Sequence, residues 1–261
     1  MPLSPYTVIP HRFASRADPL QVTTVDGVRL VGARLGRAEP AVCFFHGFLG
    51  HYRKPRIGRF LEEVARWFTV YAVDLRGHGR SEGLCTFGDA EYLDVAAVLA
   101  EARDDGHDRV ATVGASMGGI AVIRHAALSG GMDLVASISV PARWNGHRST
   151  AVRRMTWLTG SPYGRRLCRA AGVRITDTWN DPEAPEDVVA KIAPTPLIVV
   201  HGLDDHYFDE EEAWRLYRRA GQPKRLLLAS RFGHAEDGFT PSFAERLSRM
   251  IYQEWRLPWP E

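Results

Sequence analysis

Short apolar runs alternate with helix-length stretches along most of this chain. The runs are "AVCFF" (41–45), "TVYAVDL" (69–75), "RVATVG" (109–114), "LVASISV" (134–140), "TPLIVVHG" (195–202) and "KRLLLAS" (224–230). Unbroken apolar character of this kind marks strands covered on both faces. Parallel neighbours need a crossover of a dozen or more residues, usually a helix. The intervening stretches supply it. "RIGRFLEEVARWF" (56–68) puts Ile57, Phe60, Leu61, Val64 and Phe68 at helical spacing. "DAEYLDVAAVLAEAR" (89–103), "GGIAVIRHAAL" (118–128), "DEEEAWRLYRRA" (209–220) and "SFAERLSRMIYQEW" (242–255) also read as helices. The pattern predicts an α/β fold with a doubly wound, mostly parallel sheet.

Two departures from the alternation set the expected domain plan. "LQVTTVDGVRLVGARL" (20–35) alternates about Asp26-Gly27, a hairpin signal, and follows a proline-rich opening of 20 residues expected to be an irregular arm. Between Pro141 and Pro194 the alternation lapses into a polar stretch. We therefore expect a core from residues 1–140 and 195–261, with 141–194 inserted as a small cap. A length of 261 residues suits one such domain.

Charge and composition exclude several function classes. A net charge of +2 gives no bias toward polyanions, so no nucleic-acid partner is expected. The opening "MPLSPYTVIPHRF" lacks the basic start and apolar stretch of a signal peptide. No apolar run approaches the roughly 18 residues of a membrane span. Cys43, Cys85 and Cys168 are odd in number and far apart. They read as reduced thiols of a cytoplasmic protein, without metal-ligand spacing. With no phosphate-binding loop either, neither metal nor cofactor is expected.

Ser116 is the candidate reactive residue. "VGASMGGIAV" (113–122) places it among glycines between an apolar run and a helix pattern, matching G-x-S-x-G. Such a turn holds the serine at the carboxyl end of the sheet and at a helix N-terminus, whose free N–H groups favour developing negative charge. A serine hydroxyl is a weak nucleophile and needs a base oriented by an acid. "VVHGLDDHYF" (199–208) offers Asp204 and Asp205 just past a strand, and "RFGHAED" (231–237) offers His234 after the next. The chain order Ser, Asp, His is that of a hydrolase triad.

From about residue 20 to 255 the chain resembles the α/β-hydrolase superfamily of serine hydrolases. The resemblance rests on "HGFLG" (46–50), "DLRGHGRSEG" (74–83), "GASMGG" (114–119), "HGLDD" (201–205) and "GHAE" (233–236), in this order. It implies Ser116 as nucleophile and His234 as base. The family's acid usually falls three residues after the glycine ending its strand, which selects Asp205 and leaves Asp204 as a turn residue. The backbone N–H groups of Met117 and Phe48, which follow the nucleophile and "HG", would form the oxyanion hole. Asp74, Arg76 and His78 read as loop support through bonds to backbone. His125 and His201 read as structural.

The expected cap carries arginines 143, 148, 153, 154, 165, 166, 169 and 174, with no acidic residue from 143 to 174. Trp144, Met155, Trp157, Leu158 and Tyr163 are interleaved. Either a solvated basic face or a roof that prefers anionic substrates fits this pattern. The leading activity is cleavage of a small carboxylic ester through an acyl-enzyme. "GHGRSEG" resembles monoacylglycerol lipases, and the serine aminopeptidase group shares the same motifs. Amidase, thioesterase and carbon–carbon hydrolase chemistry, and a non-hydrolytic receptor on the same fold, are the alternatives. Ser116 argues against epoxide hydrolases and haloalkane dehalogenases, which place aspartate at that position.

Overall fold

The computed structural model describes residues 10–178 and 180–260. The first nine residues of the expected arm lie outside them. Eight strands form one sheet: β1 (Ala17–Thr23), β2 (Arg29–Leu35), β3 (Ala41–Phe45), β4 (Thr69–Val73), β5 (Val110–Ala115), β6 (Leu134–Ile138), β7 (Leu197–Gly202) and β8 (Lys224–Ala229). Their order is β1-β2-β4-β3-β5-β6-β7-β8. β1 and β2 pair antiparallel, as do β2 and β4. All pairs from β4 through β3 to β8 are parallel. This is the mostly parallel α/β sheet that the alternation predicts.

Helices cover both faces. α1 (Pro55–Val64) and α8 (Pro241–Glu254) lie on one face, where Phe60, Leu61, Phe243 and Leu247 join Val42, Phe44 and Val113 in a core. α2 (Glu91–Asp104), α3 (Met117–Leu128) and α7 (Glu210–Arg219) cover the other, where Val95, Ile123 and Leu216 meet Cys43, Tyr71 and Val199. α3 is buried on all sides from Met117 to Ala126. Its sequence is accordingly mostly apolar, and its buried Arg124 donates to the Glu183 carbonyl and pairs with Asp89.

Among the boundaries that differ from the sequence pattern are those of β1, α1 and β6. β1 begins at Ala17, inside the expected arm, because Ala17 pairs with Leu35 at the far end of the hairpin. α1 stops at Val64 instead of Phe68. The chain turns there, with the N–H groups of Trp67 and Phe68 both donating to the Val64 carbonyl. Phe68 beyond the turn is buried against Tyr252 and Trp255. β6 ends at Ile138, two residues short of Val140, and Ser139 adopts φ +53°.

Between β6 and β7 run α4 (Thr150–Gly160), α5 (Pro162–Ala170), α6 (Pro185–Val188) and a short 3-10 turn (Val189–Ile192). α4 buries no residue, and α5 buries only Gly164 and Cys168. Val188, Val189 and Ile192 instead belong to the core cluster that contains α3. The last part of the 141–194 segment is thus joined to the sheet's helical layer. Among the described residues, no helix is long and apolar enough to cross a membrane.

Candidate active site

Ser116 stands at the turn from β5 to α3, with φ +51° and ψ −116°. Such a conformation is strained for a non-glycine residue and persists only where the surroundings enforce it. Here the enforcement is close packing. A Cβ at Gly118 would sit 2.3 Å from the Phe45 carbonyl oxygen, and one at Gly114 would sit 2.2 Å from that of Gly118. Only glycine at both positions lets α3 start this near to β3 and β5. The Ser116 N–H donates to the Ile138 carbonyl at 2.8 Å, which ties the turn to β6.

The loops after β7 and β8 bring Asp205 and His234 to this serine. His234 Nε2 is 2.9 Å from Ser116 Oγ, and Nδ1 is 2.7 Å from Asp205 Oδ2. Asp205 Oδ1 accepts the N–H groups of Tyr207 and Phe208 at 2.8 and 3.1 Å. Burial pushes the Asp205 carboxyl up, but the His234 bond and charge and these backbone donors outweigh it and hold it below its ordinary range. An ionised carboxylate only accepts hydrogen bonds, so Nδ1 carries the proton and Nε2 is left to accept from Ser116. Asp204, the neighbouring candidate, is exposed, and among the described residues its carboxylate bonds nothing.

Further residues support His234. The Tyr207 ring lies 4.5 Å from the imidazole, and the Phe208 ring 5.5 Å. Both residues belong to "DDHYF", where the sequence signal of a site lies in the carboxylates. Buried Ser139 accepts the N–H of Ala235 through Oγ at 3.0 Å, and so fixes the residue after His234. His201 is fully buried behind the site, with Nε2 donating to the Phe208 carbonyl at 3.2 Å.

The turn after β3 lies directly beside the serine. A Cβ at Gly47 would come 3.2 Å from Ser116 Cβ. Phe48 and Met117 flank Ser116 on the wall of one cavity. Among the described residues neither backbone N–H has a hydrogen-bond acceptor. His46 anchors the turn: the N–H of Leu75 donates to Nε2 at 3.0 Å, and Nδ1 donates to the Gly47 carbonyl at 2.8 Å. Burial drives its pKa well below the ordinary histidine value, so the ring is neutral, as this bonding requires.

"DLRGHGRS" builds the buried loop below that turn. Asp74 accepts the N–H groups of Tyr52 and Arg80, both at 3.1 Å, and His78 Nδ1 donates to the Arg76 carbonyl. Arg76 departs from the expectation of backbone bonding. Its guanidinium binds carboxylates, Asp94 at 2.7 Å and Asp26 at 2.8 and 3.0 Å, because α2 and the β1–β2 turn converge on it. Asp94 is completely buried. Removing one partner of a buried pair strands the other charge, at a cost of roughly 3–5 kcal/mol. Arg76→Ala should lose stability of that order, read as a fall in the urea midpoint. An unchanged midpoint would mean that the pair contributes nothing.

The cavity at Ser116 has a volume of about 320 Å³. Its apolar wall includes Phe48, Phe87, Met117, Ile120 and Phe208, and α4 adds Val152 and Met155. Trp144 also lines it, whereas Trp157 and Tyr163 are more than half exposed on the outside. The arginines divide in the same way. Arg143 reaches the cavity, Arg174 binds the Ser81 and Gly83 carbonyls, and Arg153 and Arg154 are exposed on α4. A pocket of this size and lining, with a polar cluster at one point, suits a small organic ligand.

Comparison with known proteins gives the family. The sequence model of the alpha/beta hydrolase family matches residues 44–258. The uncharacterized protein YfhR of Escherichia coli is 25% identical over 228 residues, covering 81% of this chain and 71% of that protein. Among solved structures, the esterase Pf2001 of Pyrococcus furiosus superposes with a TM-score of 0.73 at 20% identity, covering 94% of this chain and 98% of that one. The esterase RhEst1 of a Rhodococcus species gives 0.72 at 19% identity, covering 90% and 98%. The chain belongs to the alpha/beta hydrolase family, and it is a hydrolase.

Proposed function

We propose that the protein is a serine hydrolase that cleaves a small carboxylic ester through an acyl-enzyme. One observation carries this reading: the unbroken hydrogen-bond chain from Asp205 through His234 to Ser116, opening on an apolar cavity. Ser116 Oγ attacks the ester carbonyl carbon while its proton passes to His234 Nε2. The carbonyl π electrons move to oxygen, where the N–H groups of Phe48 and Met117 receive the negative charge. A fixed donor of this kind contributes roughly 3–4 kcal/mol to the transition state. Collapse of the intermediate expels the alcohol, protonated by His234. Water activated by the same imidazole then releases the acid and restores Ser116.

Ester chemistry is favoured over the alternatives by the names of the structural neighbours, two of which are esterases. Within residues 141–194, α4 and α5 act as the cap, with α4 roofing the acyl pocket, while the last part joins the helical layer. The substrate is a small molecule, and no nucleic acid, metal or cofactor enters the cycle. The three cysteines are buried and unpaired, which fits a cytoplasmic location.

The test is covalent labelling with a fluorophosphonate, followed by turnover of a panel of p-nitrophenyl esters and aminoacyl anilides. We expect one label per chain, on Ser116, and hydrolysis of short-chain esters. Preferential cleavage of the anilides would move the reading to an aminopeptidase. A folded protein that binds esters without turning them over would make it a receptor.

A further inference from the structure

We propose that Arg143 is a specificity residue that holds the carboxylate of a substrate that is both an ester and an anion. The proposal rests on the serine hydrolase reading above and names the substrate class for it. Among the described residues, Arg143 is the one lysine or arginine on the wall of the Ser116 cavity. It also borders the adjoining groove beside Asp205 and Tyr207, so the test covers both the acyl side and the leaving-group side of the scissile bond.

The mounting of Arg143 separates a ligand role from a structural one. Its Nε donates to Oε1 of Glu212 at 3.1 Å, and Oε2 of the same carboxylate accepts the N–H of Ala142 at 2.8 Å. Glu212 is 1% exposed and projects from α7, a rigid support. Arginine–carboxylate pairs frequently use two parallel N–H groups. Here one of the five guanidinium N–H groups is used. Among the described residues neither terminal nitrogen has a protein acceptor. A planar fork with free terminal donors, fixed at its inner nitrogen, is suited to bidentate capture of a carboxylate. Asp181, the cavity wall's other formal charge apart from histidine, is exposed, so solvent screens it.

Two matched pairs of esters test this. The first is mono-4-nitrophenyl adipate against 4-nitrophenyl hexanoate, with the charge on the acyl side. The second is 4-acetoxybenzoate against its methyl ester, with the charge on the leaving group. The readout is the ratio of kcat/KM for the anionic member over the neutral one. We expect the anionic member to be preferred in at least one pair. Arg143→Gln should lower that ratio about 10- to 100-fold, mainly through KM, as loss of a charge-assisted hydrogen bond does. Arg143→Lys, which keeps a cation opposite Glu212, should lower it less.

Because Arg143→Gln strands a buried carboxylate, Arg143→Gln combined with Glu212→Gln serves as a second variant. It removes both charges and should show the same fall. Arg153→Gln with Arg154→Gln, a larger charge change on the exposed side of α4, should leave the ratio within about 2-fold. No anionic preference, a ratio that ignores Arg143, or an equal fall in the α4 variant would overturn the proposal. In those cases the neutral esters are still turned over and the serine hydrolase reading stands. If no ester is turned over and Ser116 takes no label, both fall together.

Discussion

Ser116→Ala should abolish fluorophosphonate labelling and reduce ester turnover to the level of the residual site. In a serine protease, loss of the nucleophile lowers kcat by about 10⁶-fold, and the remaining rate comes from the oxyanion donors and binding. The fold should be unaffected. Position 116 has φ +51°, and alanine tolerates this no worse than serine, because the strain arises at Cβ, which both possess. The bond that ties the turn to β6 is made by the backbone N–H and survives the change. Among the described residues, the one side-chain hydrogen bond lost is that to His234. Circular dichroism and the melting temperature should therefore match the parent while activity disappears. A variant that keeps its label or its turnover would place the nucleophile elsewhere and end the serine hydrolase reading.

Much of this arrangement is legible in the sequence, for physical reasons. Strands β3 to β7 are buried on both faces, so their residues are nearly all apolar or small, and near-uniform runs result; His201 in β7 is an exception that bonds the Phe208 carbonyl. Gly114 and Gly118 are compelled by backbone atoms within 2.3 Å of a would-be Cβ, so the turn around Ser116 is written in glycine. Asp205 and His234 can be singled out as candidates because a doubly wound sheet delivers its loops to one edge.

What escapes the sequence is set by contacts between distant segments. The partnership of Arg143 with Glu212 spans 69 residues, and that of Ser139 with Ala235 spans 96. Neither residue carries a local pattern. Phe68 continues the helical spacing past the end of α1 but packs on Tyr252 of a distant helix. α4 buries nothing, so its amphipathic pattern cannot say which side faces the cavity.

The choice between the two adjacent carboxylates yields the second large effect. Asp205→Asn should lower kcat about 10⁴-fold, while Asp204→Asn should stay within about 2-fold. Asp205 Oδ1 receives two backbone N–H groups, and Oδ2 receives His234 Nδ1–H. Asparagine has one acceptor oxygen. If that oxygen keeps the N–H groups of Tyr207 and Phe208, the amide NH₂ must face Nδ1. His234 then accepts at Nδ1 and carries its proton on Nε2, the nitrogen that faces Ser116 Oγ at 2.9 Å. A protonated Nε2 cannot take the serine proton, so the base is disabled without a change of geometry. Asp204 is exposed and bonds His234 nowhere, so its amide leaves the tautomer alone. Stability adds a check with a definite sign. The folded-state pKa of Asp205 lies below its ordinary value, so ionised Asp205 stabilises the fold above the carboxylate range. That contribution is lost as pH falls through the lowered value. The stability gap between the parent and Asp205→Asn should accordingly be full at neutral pH and close in strong acid. Equal kinetic losses at the two positions, or a larger loss at Asp204, would remove Asp205 as the orienting acid.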